Sequence, residues 1–87
     1  MDWLAIGKEC YLFNDVMYDQ IFQSILMDSE YEQVTKDNIS YFTTIFMDNV
    51  ENILDTEFGI YSEDESQDYS NIFKGFEDYL KFITNLI

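Results

Sequence analysis

Apolar side chains return every three or four residues along several stretches of the chain. Over residues 39–56 they fall at Ile39, Phe42, Ile45, Phe46, Val50, Ile53 and Leu54. That spacing places them on one face of an α-helix. The pattern predicts one long helix, capped by Thr35 or Asp37 and ended by Gly59 in a left-handed turn. Over 69–86, Tyr69, Ile72, Phe73, Phe76, Leu80, Ile83 and Leu86 predict a second helix. Gly75 costs that helix up to about 1 kcal/mol relative to Ala and marks a close approach of another helix. A third helix is expected over 15–27, with Asn14 as its cap and Ile21, Phe22, Ile25 and Leu26 as its stripe. Ser29 and Glu32 have capping-box spacing and predict a further short turn of helix, with Tyr31 and Val34 as its apolar contacts.

Residues 1–13 read two ways. Ile6, Cys10, Phe13 and Met17 extend the first helical stripe backwards. The apolar runs 3–6 and 10–13 also flank Gly7-Lys8-Glu9 in the manner of a small hairpin. We favour the helix. Residues 62–68 form the one strongly polar connector, and no repeat or second domain is evident. The expectation is a single acidic domain over 1–87, mainly α. It would be a small bundle of three to four helices, with a short N-terminal hairpin as the alternative for residues 1–13.

Charge changes this picture from a generic helical domain to an unusual one. The chain has 18 Asp and Glu against 4 Lys, no Arg and no His, for a net charge of −14. Disordered acidic tails lack aromatics, whereas this chain is 18% aromatic and 47% hydrophobic; it is expected to fold. So much like charge opposes compaction through self-repulsion. It also exceeds what solubility asks of a small domain, roughly 8 charges at most. A surface of this kind suits a basic partner, and basic protein surfaces mostly serve to hold nucleic acid. Direct binding of nucleic acid is disfavoured by the same charge. The opening residues lack a positive leader region, and no apolar run approaches a membrane span, so a cytoplasmic, soluble protein is expected.

The missing residue types restrict the chemistry. Without His there is no imidazole base or metal ligand, and without Arg no bidentate phosphate clamp. Asp28-x-Glu30-x-Glu32 begins like a calcium loop, but Gln33 and Ile39 stand where Gly and Glu are required. Asp64 and Glu65 lie in a polar segment with nothing to raise a carboxyl pKa. Cys10 reads as a small core residue. No catalysis, cofactor or dedicated metal site is expected.

The candidate surface lies in the centre of the chain. Asp48, Glu51 and Asp55 recur at helical spacing on the predicted long helix, opposite its apolar stripe. Glu57 continues the row, and Glu63, Asp64, Glu65 and Asp68 follow, with no base between Lys36 and Lys74. Further acids cluster at Asp28, Glu30 and Glu32, and at Asp15 and Asp19. Asn14, Asn38, Asn49, Asn52 and the tyrosines supply polar tips and contact area suited to an interface. Tyr61, beside the acidic connector, is foremost among them.

Three functions fit. The first is a non-catalytic inhibitor whose acids occupy the nucleic-acid-binding site of a basic protein, a nuclease above all. In size, charge and lack of catalytic residues the chain resembles the small phage proteins that act against restriction and CRISPR nucleases; the resemblance is one of composition, with no shared motif. The second is an immunity protein or antitoxin that neutralises a basic nuclease toxin. The third is a structural interaction subunit docking through its apolar termini, residues 3–6 and 82–87. A homodimer is compatible with each.

Overall fold

The computed structural model describes residues 2–85. Two strands lead, β1 (Asp2–Ile6) and β2 (Glu9–Phe13). Four helices follow, α1 (Asp15–Met27), α2 (Ile39–Asp48), α3 (Val50–Phe58) and α4 (Ser70–Thr84). The protein is therefore mainly helical, and its first residues form a hairpin rather than the favoured helix. The strands pair antiparallel, with Leu4 opposite Tyr11 and Ile6 opposite Glu9. Gly7 and Lys8 alone make the turn, with Gly7 at φ 60°. A glycine in that first turn position suits the twist of a tight hairpin, and a helix would forgo that fit. Alternation then decides which side chains go in. Leu4 and Phe13 are buried, while Trp3, Ala5 and Cys10 point outward. Cys10 is thus an exposed thiol and not a core residue.

Helix α1 matches its expected bounds, and the Asn14 side chain accepts a hydrogen bond from the Met17 amide at 3.0 Å. No capping box forms after it. The Ser29 hydroxyl instead donates to the Leu26 carbonyl at 2.8 Å and accepts from the Tyr31 amide at 3.1 Å, closing the end of α1. Neither Thr35 nor Asp37 caps α2; Asn38 holds that position. Its buried side chain accepts from the Thr35 amide at 2.6 Å and donates to the Gln33 carbonyl at 3.0 Å.

The predicted long helix is two helices, broken at Asn49. The Asn49 side-chain amide donates to the Ile45 carbonyl at 2.9 Å, and the Asn49 backbone amide donates to the same carbonyl at 3.1 Å, so side chain and backbone together close the end of α2. Its own backbone, at φ −125° and ψ 20°, leaves the helical region. Beyond the break, Val50, Ile53 and Leu54 remain buried, so the apolar rhythm runs through a point where the backbone does not. Gly59 ends α3 at φ 66°, and the Ile60 amide reaches back to the Leu54 carbonyl at 3.1 Å. Ile60 is itself buried, the hydrophobic anchor of such an ending.

Helix α4 packs against α2 and β1. Phe46, Phe76, Ile72 and Leu80 are fully enclosed where these elements meet. The Phe46 ring lies 4.8 Å from that of Phe76 and 5.6 Å from that of Phe73. Each such buried ring stabilises the fold by about 2–3 kcal/mol. Gly75 does mark a close approach, but of side chains. A Cβ there would overlap the Tyr18 hydroxyl and the Asp2 carboxylate, which hydrogen-bond to each other at 2.8 Å. Ile83, expected in the stripe of this helix, is 37% exposed, and Leu86 and Ile87 lie outside the described residues.

Candidate functional site

The break at Asn49 reshapes the central acidic row. Asp48 is the last residue of α2, and Glu51 and Asp55 belong to α3. All three are exposed. Glu51 stands in the first turn of α3, where the positive end of the helix dipole favours a carboxylate. Asp48 and Glu51 border one shallow depression at the break, with Met47, Asn49 and Asn52. The row is therefore a kinked surface and not one straight helical ridge. Glu57 is half-buried, and its backbone carbonyl accepts from the Gln20 side chain at 3.2 Å.

The connector after α3 is ordered by its own side chains. The Ser62 hydroxyl is buried and accepts from the Asp64 amide at 3.2 Å. Asp64 in turn accepts from the Ser66 amide at 2.9 Å and the Ser66 hydroxyl at 2.8 Å. Asp68 accepts from the Ser70 amide at 2.8 Å, just before α4. These hydrogen bonds hold the Asp64 and Asp68 carboxyls below the usual carboxylate range, the Ser66 and Ser70 amides contributing most. Gln67 fixes the segment to the hairpin by donating to the Ala5 carbonyl at 2.7 Å. Glu63 and Glu65 are exposed, and Tyr61 is 63% exposed.

Tyr69 joins the two halves of this surface. Burial raises its phenol pKa, and the charges of Glu51 and Asp64 raise it further. Acids from α3 and from the connector therefore lie around one tyrosine, which their sequence separation alone does not show.

A second acidic group forms at the other end of α1. Tyr18 donates to Asp2 and Tyr79 to Asp19, each at 2.8 Å. Burial raises both phenols, and the hydrogen bond to a carboxylate adds to it, so that Tyr79 is pushed up to about 12. The charges of Asp15 and Asp78 also reach Tyr18. The pair Asp15 and Asp19 was legible as a row; Asp2 and Asp78 were not. Only the hairpin brings Asp2 there, and its in-facing place in the strand alternation is the signal that could have found it.

The asparagines serve the fold more than an interface. Asn14 caps α1, Asn38 is buried, and Asn49 breaks the helix. Asn52 alone among those four makes no side-chain hydrogen bond among the described residues, and it lines a groove of about 390 Å³ between α1 and the α2–α3 break. Tyr31 and Tyr41 form an exposed edge-to-face pair, 5.1 Å between ring centres, close to Asp28.

Charge pairing is sparse. Among the described residues, ion pairs form only within α4, Lys74 with Asp78 at 3.7 Å and Lys81 with Glu77 at 2.7 Å. The Lys81 ammonium lowers the Glu77 carboxyl pKa and is itself raised in return. No cluster of three or more metal-ligating side chains occurs among the described residues, and none of their helices is long and apolar enough to cross a membrane. Compared with protein-family models, with curated proteins and with solved structures, the chain matches none.

Proposed function

We propose that this protein is a non-catalytic inhibitor that lays its acidic surface into the basic nucleic-acid-binding site of a nuclease, within the cytoplasm of a bacterial host. Phage proteins directed against restriction or CRISPR nucleases are the class it would join. The observation that carries the reading is that none of the acids from Asp48 through Asp55 to Asp68 is ion-paired among the described residues, and that no lysine lies among them in the chain. The two ion pairs among the described residues lie within α4. A fold that bears this repulsion without internal compensation gains from a partner that supplies lysine and arginine.

The acids differ in what they can offer. Asp48, Glu51, Asp55, Glu63 and Glu65 are exposed and make no side-chain hydrogen bond among the described residues. They are the groups available to stand where phosphates would sit. Asp64 and Asp68 hold the connector in shape and contribute charge from fixed positions. Tyr61 supplies rigid contact area beside them.

The test is charge reversal. The triple variant Asp48→Lys, Glu51→Lys, Asp55→Lys should bind the target at least about 100-fold more weakly, because each desolvated charge pair contributes on the order of 1.5 kcal/mol or more. All three positions are exposed, so the fold should survive, as an unchanged circular dichroism spectrum would show. Full affinity in the folded variant would remove this surface from the interface.

A further inference from the structure

The hairpin has one closed edge and one open edge. On β1, the carbonyls of Ala5 and Trp3 accept from the side chains of Gln67 and Asn71, at 2.7 and 3.4 Å, and so point away from β2. In an antiparallel pair, a residue whose carbonyl points away from its neighbour also turns its amide away, and its cross-strand partner does the same. Those partners are Cys10 and Leu12. Their backbone groups therefore face outward along the free edge of β2, and no hydrogen bond reaches them among the described residues.

The outer face beside that edge is apolar. Trp3, Ala5, Cys10 and Leu12 share it, with Trp3 50% exposed. Charge also distinguishes this region from the acidic centre of the chain. Residues 3–14 carry only Lys8 and Glu9 and are net neutral, in a chain of net charge −14. A second, equally acidic copy can approach this edge without local repulsion.

We propose that β2 pairs with β2 of a second copy, antiparallel about a two-fold axis at Tyr11, giving a continuous four-stranded sheet. The register is self-complementary. Cys10 meets Leu12 of the other copy, and the outward amides and carbonyls of both residues bond across the axis. Lys8 then lies opposite Asn14, next to Asp15 at the start of α1, so its ammonium meets an acidic group in place of solvent. The two apolar outer faces merge into one. This dimer leaves Asp48, Glu51 and Asp55 outside the contact, so it neither requires nor follows from the proposed inhibition.

Sedimentation velocity across a concentration series, in low-salt and high-salt buffer, tests the proposal. The remaining acids of the two copies repel, so salt should tighten the dimer, by roughly tenfold; binding to a basic target weakens with salt. Leu12→Lys and Cys10→Lys place charges on the edge and should each weaken the dimer by more than about tenfold. Leu12→Cys adds a positive readout. Directly paired residues have Cα atoms about 5.5 Å apart, within disulfide range. Under mild oxidation this variant should cross-link to a covalent dimer through native Cys10. The unaltered protein should not, because its two Cys10 residues are diagonal neighbours at about 7–8 Å. A monomer at every concentration and salt overturns the proposal, as does a dimer that persists in both lysine variants. So does a β2 edge that is occupied only when a basic target is added.

Discussion

At the scale of single residues, the tightest constraint is the meeting of Gly75, Tyr18 and Asp2. Three elements converge on it, and the space for a side chain at Gly75 is filled by the Tyr18–Asp2 hydrogen bond. Helix propensity alone would make Gly75→Ala stabilising by up to about 1 kcal/mol. The overlap should reverse the sign, and we expect a net cost of about 1–3 kcal/mol in denaturant melts. Tyr18→Phe removes the hydroxyl that a Cβ would strike, so Gly75→Ala should cost less in that background. Equal costs in both backgrounds would show that the hydroxyl is not what excludes the methyl. Gly75 could be read from the sequence as a point of close approach, since a glycine inside an apolar stripe has few other reasons to be there. What approaches it could not be read, because Asp2 and Tyr18 are brought there by the hairpin and by α1.

At the scale of elements, periodicity succeeded where the backbone was regular and failed at its interruptions. The bounds of α1 and the left-handed end of α3 at Gly59 follow from a cap and a glycine that local chemistry explains. The break at Asn49 was hidden, because the apolar spacing of Phe46, Val50 and Ile53 continues across it. It shows only in the backbone of Asn49, which leaves the helical region at φ −125° and ψ 20°. Apolar runs of four residues fit either period, so residues 1–13 read as helix first and hairpin second. Gly7 decides the matter through its positive φ. Gly7→Ala should therefore destabilise by about 1–2 kcal/mol, the cost of a left-handed conformation for a residue with a Cβ. A Cβ at Gly7 would touch nothing within 4 Å, so packing does not enter. A neutral effect on the thermal midpoint would contradict this account of the turn.

At the scale of the whole molecule, uncompensated charge dominates. With a net charge of −14 and ion pairs among the described residues only in α4, added salt should stabilise the fold by screening. A gain of about 1 kcal/mol would raise the melting midpoint by roughly 4–8 °C. A midpoint that stays flat or falls in sodium chloride would mean that the acids are not mutually destabilising, and would remove the energetic case for a basic partner. The amount of charge and its central location were legible in the sequence. Its distribution was legible only in part. The kink at Asn49, the turn-forming roles of Asp64 and Asp68, and the convergence of Glu51 and Asp64 on Tyr69 all depend on contacts between distant segments.

The most direct test of the central claim is affinity capture of the target on the immobilised protein, followed by elution with nucleic acid. A bacterial lysate supplemented with a CRISPR nuclease would be passed over the immobilised protein in low salt. The retained partner would then be challenged with duplex DNA, with RNA and with salt. The account predicts a basic nuclease that nucleic acid and salt both displace, and that the triple lysine variant at Asp48, Glu51 and Asp55 fails to retain. A partner held equally by that variant, and indifferent to nucleic acid and salt, would contradict it.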